Sequence, residues 1–96
     1  MSHIISQKAA NAFYAGRNFK LQNTEVTAHE NGVTELYLHG NKIAERIGDV
    51  VRFTLAGWNT VTTRERLRAL GIDVRTKQGT PYYNGQAINS YATFNA

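Results

Sequence analysis

Residues 24–56 read TEVTAHENGVTELYLHGNKIAERIGDVVRFTLA, and their punctuation decides the fold. Asn31-Gly32, Gly40-Asn41 and Gly48-Asp49 recur at even intervals, and such pairs supply the positive φ that tight hairpins need. The stretches between them predict strands near 24–30, 33–39, 42–47 and 50–56. Residues 19–57 therefore read as a four-stranded antiparallel β-meander.

Counting back from two-residue turns gives a register. Tyr37 faces Val26 on one side and Ala44 on the other, Ala44 faces Phe53, and Arg46 faces Val51. Val26, Ala28, Tyr37, Ala44, Val51, Phe53 and Leu55 then share the face expected to form the core. The same count sets Glu35 opposite Arg46 and Glu45 opposite Arg52, and opposite charges across strands contribute roughly 0.2–1 kcal/mol each. The other face carries Leu36, Leu38 and Ile43, ringed by Glu25, Glu45 and Arg52. Two readings of that apolar patch stand: cover by a helix or the last hairpin, or a protein-docking surface.

Helices flank the meander. Ile5, Ala9, Ala12 and Phe13 recur at helical spacing within residues 2–16, with Ser2 as cap and Gly16 at the left-handed exit. Residues 58–71 carry a second helix, whose basic stretch is 63–70. There Thr62-Thr63-Arg64-Glu65 reads as a capping box on Thr62, and Gly71 marks the end. Lys77-Gln78-Gly79 and Asn84-Gly85 mark turns of a last pair or trio of short strands within 72–88, at the least a short C-terminal β-hairpin, while 90–96 carries no strong signal. The expected fold class is α+β, one small domain over 1–96: N-terminal helix, β-meander, second helix and short hairpin.

Composition narrows the function. The 96 residues hold 11 Lys+Arg against 7 Asp+Glu, a net charge of +4, and no Cys. A disulfide scaffold and a thiolate zinc site are excluded. No apolar run approaches the roughly 18 residues of a membrane span. The opening MSHIISQKAANAF lacks the apolar core of a signal peptide, so an intracellular protein without membrane attachment is expected.

No catalytic residue, metal or cofactor is expected. His29 and His39 fall at opposite ends of the first hairpin, roughly 16 Å apart at the rise of a strand, and His3 lies far along the chain. No G-x-S-x-G elbow, phosphate loop or G-x-G-x-x-G occurs, and the serines sit near the termini.

Charge is uneven. Residues 1–57 hold six basic and five acidic side chains, residues 58–96 five and two. Arg64, Arg66, Arg68, Arg75 and Lys77, with Trp58 and Tyr82 as stacking platforms, form a candidate nucleic-acid surface. The other reading is a solvated helix face beside buried aromatics. Arg64 and Arg68 repel at i,i+4, a small cost that a bound anion would relieve. Around Ala56–Thr63 the expectation is a structural corner with Trp58 plugging the core; a recognition loop is the alternative.

Asn23-Thr24-Glu25-Val26, Leu38-His39-Gly40-Asn41-Lys42-Ile43-Ala44, Gly57-Trp58-Asn59-Thr60-Val61-Thr62-Thr63-Arg64-Glu65-Arg66-Leu67 and Tyr83-Asn84-Gly85 resemble a family of small orphan proteins of tailed bacteriophages. The resemblance covers residues 12–88; the tail departs from the acidic, aromatic ending expected there. It carries no activity. It implies a phage accessory protein in the cytoplasm of an infected bacterium, non-enzymatic, that binds a host protein, with nucleic-acid binding as the alternative. The net positive charge disfavours a DNA mimic. Unpaired sheet edges also make a homodimer an option.

Overall fold

The computed structural model describes residues 2–96, with side chains from Ile4 onward. Helix α1 spans Ser2–Ala15. Strands β1 (Phe19–Leu21), β2 (Thr24–Ala28), β3 (Val33–Leu38), β4 (Asn41–Ile47) and β5 (Val50–Phe53) follow. Helix α2 is Val61–Ala69, then come β6 (Val74–Lys77), β7 (Thr80–Tyr83), β8 (Gln86–Ala87) and β9 (Phe94–Asn95). One antiparallel sheet has the order β1-β2-β3-β4-β5-β9, the other β6-β7-β8. The α+β class stands, but the meander gains a strand at each edge, and of the pair or trio of C-terminal strands it is the trio that forms.

Helix α1 buries Ile5, Ala9, Ala10, Ala12 and Phe13. Its small alanines let it lie close to the sheet and to α2. Gly16, at φ +68, ends it, and the Arg17 N–H donates back to the Ala12 carbonyl at 2.9 Å. The cap assigned to Ser2 lies outside the described side chains.

The expected register fails in β2–β3 and β3–β4 because of their turns: the first loop is one residue longer than assumed, and the second two-residue turn lies one residue earlier. In the first hairpin the His29 N–H bonds the Val33 carbonyl and the Gly32 N–H bonds His29, so the loop holds three residues, with Gly32 at φ +89. The second turn is His39-Gly40, at φ +51 and +78, with Leu38 opposite Asn41. Val26 therefore faces Leu36, and Leu36 faces Ala44. A slip of one residue turns the strand over. Leu36 and Leu38 point into the core and Tyr37 to the outer face.

A bulge follows in β4. Leu36 pairs with Ala44 and Tyr37 with Lys42, which leaves Ile43 as the extra residue. Ile43 and Ala44 are consequently both buried. Leu36, Leu38 and Ile43 thus belong to the core, with Phe13, Phe53, Leu55 and Leu67. The expectation that they form an exposed docking face is corrected. Of the three meander turns, Gly48-Asp49 alone matches its reading, and there Ala44–Phe53, Glu45–Arg52 and Arg46–Val51 pair as expected.

The slip also sets Glu35 opposite Glu45, in place of Arg46. Like charges directly opposite destabilise a sheet. Here the Lys42 ammonium lies between them, 3.2 Å from Glu35 and 2.9 Å from Glu45. His29 Nε2 stands 2.6 Å from Glu35, and the Tyr37 hydroxyl donates to the same carboxylate. The His29 hydrogen bond, then those from Lys42 and Tyr37, hold the Glu35 carboxyl below its usual range against the opposing effect of burial.

Helix α2 begins two residues earlier than its assigned cap implies: Thr60, not Thr62, is the cap, and its hydroxyl accepts from the Thr63 N–H at 3.1 Å. Thr60 keeps extended backbone, which a cap requires, whereas Thr62 is already helical. Beyond Gly71, β6–β8 form a meander through Gln78-Gly79 and Asn84-Gly85, all four at positive φ. Tyr83 packs edge-on against Phe53, with ring centres 4.9 Å apart. The unsignalled tail then returns: Phe94 pairs with Phe53 and the Ala96 N–H donates to Val51.

Candidate functional site

The seven basic and aromatic candidates do not form one surface. Arg66 is 2 % exposed and lies in the core. Its Nε donates to Thr24 Oγ1 at 2.9 Å, Nη1 to Ser6 Oγ at 2.7 Å and Nη2 to Asn23 Oδ1 at 3.3 Å. Burial lowers its pKa, offset in part by Glu65, 3.9 Å away. The residue ties α1, the β1–β2 turn and α2 together. Its assignment to a nucleic-acid surface is corrected: side chains at helical spacing do not all face outward, and Arg66 follows Thr63 and precedes Leu67 on the buried face.

Arg64 is half-buried and donates to the Asn59 side-chain oxygen. The Asn59 amide in turn donates to Thr76 Oγ1 and the Gly79 carbonyl, pinning the β6–β7 turn to the start of α2. Arg68 lines a shallow cleft with Ser6, Gln7, Glu65 and Ala69. Arg75, Lys77 and Tyr82 come together elsewhere, along the face of β6 and β7.

Trp58 lies at a third place, and not as a plug. The chain turns sharply after β5: the Trp58 N–H donates to the Leu55 carbonyl at 2.8 Å across Ala56 and Gly57, at φ +53 and +83. That turn throws the indole outward, leaving Trp58 60 % exposed, so the expected core plug is corrected. The indole walls a cleft of ≈ 520 Å³ lined also by Leu38, Ile43, Leu55, His39, Asn41 and the threonines at the start of α2. Two residues expected to form a surface patch, Leu38 and Ile43, line this cleft, though both are almost fully buried.

A family model described as the Kyanoviridae Gp96 protein matches residues 2–95. The chain belongs to the Kyanoviridae Gp96 family. This is a family of cyanophage proteins, in keeping with the resemblance to small phage proteins seen in the sequence. No curated protein and no solved structure matches the chain.

In this Gp96-family chain the cleft contains residues that spacing alone could not gather. Leu38 and Asn41 flank the His39-Gly40 turn, Leu55 ends the run after β5, and Thr60 and Thr62 open α2. Tyr91, in the tail that carries no signal, is not part of the cleft lining but lies against the turn that precedes Trp58. Its ring lies over Gly57, where a Cβ would stand 2.6 Å from it, and it is 80 % exposed. The signal available was Gly57 itself, a residue without a side chain beside an aromatic. No helix among the described residues is long and apolar enough to cross a membrane.

Proposed function

We propose that this protein is a non-enzymatic phage accessory protein that docks on a host protein in the cytoplasm of the infected bacterium, taking an apolar side chain of that partner into the cleft beside Trp58. The observation that supports this reading is the exposed indole over a cleft with Leu38, Ile43 and Leu55 in its lining. Aromatic anchors beside apolar pockets carry much of the energy of protein interfaces. The lining holds no Lys, Arg, Asp or Glu, which suits an uncharged occupant better than a phosphate. Asn41, Thr60 and Thr62 offer hydrogen bonds at the rim.

A photo-crosslinking side chain placed at Thr62, in the full chain expressed during infection, tests it. One host protein should be captured from Thr62 and not from Glu30 in the first hairpin loop, and Trp58→Ala should abolish the capture. Capture that survives Trp58→Ala, that disappears on nuclease treatment, or that yields only a second copy of this chain overturns the reading.

A further inference from the structure

A second surface stands apart from the Trp58 cleft in its chemistry. In the β6–β8 sheet, Val74 and Pro81 are buried and Tyr83 packs on Phe53, so one face looks into the core. Alternation puts Arg75, Lys77 and Tyr82 on the other face. Arg75 lies directly opposite Tyr82, and Lys77 opposite Thr80. Tyr82 faces Ala87 on its other side, where a methyl group leaves room beside the ring. With Asp73, Thr76, Asn84 and Gly85 these side chains line a concavity of ≈ 480 Å³.

The groups on this face are poorly used by the fold. Among the described residues, the Lys77 ammonium and the Tyr82 hydroxyl have no side-chain partner, and the Tyr82 ring stacks on no other ring. Arg75 meets Asp73 at 3.1 Å, but both are largely exposed, and such a pair contributes little. Arg75 and Lys77 are two residues apart on one strand, so their stems start about 7 Å apart. An extended sugar–phosphate backbone can present successive phosphates to cations so spaced. A duplex cannot offer a free base to Tyr82, whereas a single strand can.

We propose that this face binds single-stranded nucleic acid, with Tyr82 stacking on a base and Arg75 and Lys77 each contacting a phosphate. The site is independent of the Trp58 cleft. Asp73 is a competitor that holds Arg75 until a phosphate displaces it.

Fluorescence anisotropy of labelled dT15, U15 and a 15-base-pair duplex with the full chain, at about 50 and 200 mM salt, tests the proposal. The single strands should bind more tightly than the duplex. Tyr82→Ala should weaken dT15 binding about tenfold, the scale of one lost stack. The Arg75→Ala/Lys77→Ala double substitution should reduce the slope of log K against log salt by about 1.4, or 0.7 per phosphate. Asp73→Asn should tighten binding, which no loss of structure would do, and Trp58→Ala should leave it unchanged. No binding of either single strand at low salt overturns the proposal. So does an equal loss from Arg68→Ala, or a loss from Trp58→Ala that matches Tyr82→Ala.

Discussion

Replacing Arg66 with alanine should damage the fold and not merely a surface. Two short hydrogen bonds run from its guanidinium to hydroxyls, 2.9 Å to Thr24 and 2.7 Å to Ser6. A bond from a charged donor contributes roughly 1.5–3 kcal/mol. The cost of burying the charge opposes that gain, and the freed hydroxyls can turn to each other or to Asn23, to which Thr24 already donates. Truncation also removes the aliphatic stem that packs between α1 and α2. The net loss works out at about 3 kcal/mol, a large share of what a domain of this size has. It should lower Tm by roughly 12–24 °C. Arg66→Met keeps the volume and drops the charge, and should land within about 2 kcal/mol of the wild type. Arg68→Ala, two residues along the helix and exposed, should stay within about 0.5 kcal/mol. Urea unfolding followed by far-ultraviolet circular dichroism reads all three. If Arg66→Ala and Arg68→Ala were equally stable, Arg66 would have no structural role and its place in the core would be wrong.

Lys42→Met should cost about 1 kcal/mol at pH 7, a value already reduced for the 43 % exposure of the lysine. The Glu35 carboxyl is depressed below its ordinary 4.5, so the stability it contributes is complete above that pH and fades as pH falls through the lower folded value. The gap between Lys42→Met and wild type in urea midpoints should therefore shrink as the pH is taken from 7 to about 3; a gap independent of pH would mean that packing, not charge, is what Lys42 supplies. Thr60→Ala should destabilise by about 1 kcal/mol and Thr62→Ala by much less, since only Thr60 caps α2; equal losses in thermal melts would return the cap to Thr62. Gly57→Ala should cost about 1 kcal/mol because of its φ of +83, and Tyr91→Ala should recover little of it, since an exposed ring can swing aside; recovery of most of the loss in a double-mutant cycle would show the ring to be held in place.

Much of this fold is legible from short-range signals, and the misreadings share a cause. Asn-Gly, Gly-Asp and Gln-Gly pairs locate the turns, yet a pair does not say which two residues are the turn. Gly40 is the second residue of its turn and not the first, because His39 tolerates positive φ. That shift and the extra residue in the first loop together put Leu36, not Tyr37, on the core face. The bulge at Ile43 restores the face of β4 beyond it, and no local preference announces a bulge at an isoleucine. β9 was illegible for a different reason. Two residues carry no period, and Phe94 is ordered by what it meets, the ring of Phe53 at 5.6 Å, not by its own neighbours.

The candidate site is where local rules are broken together. Alanine seldom adopts positive φ, at a cost of roughly 1–2 kcal/mol, yet Ala56 does so at +53. A lone tryptophan in a small domain would ordinarily fill the core, yet Trp58 stands 60 % exposed. Leu38, Ile43 and Leu55 contribute to the lining of the cleft beside it while remaining almost fully buried. Each departure alone is tolerable. The two together put a turn that Ala56 does not favour beside an exposed indole, and the Gly57–Ser90 hydrogen bond and the anchored start of α2 hold it there. An unfavoured turn kept in place by the surrounding structure is what the docking proposal for this cleft builds on. The core-plug reading of Trp58 rests on the bulk of a lone indole in a small domain, and the turn through Ala56 and Gly57 overrides it.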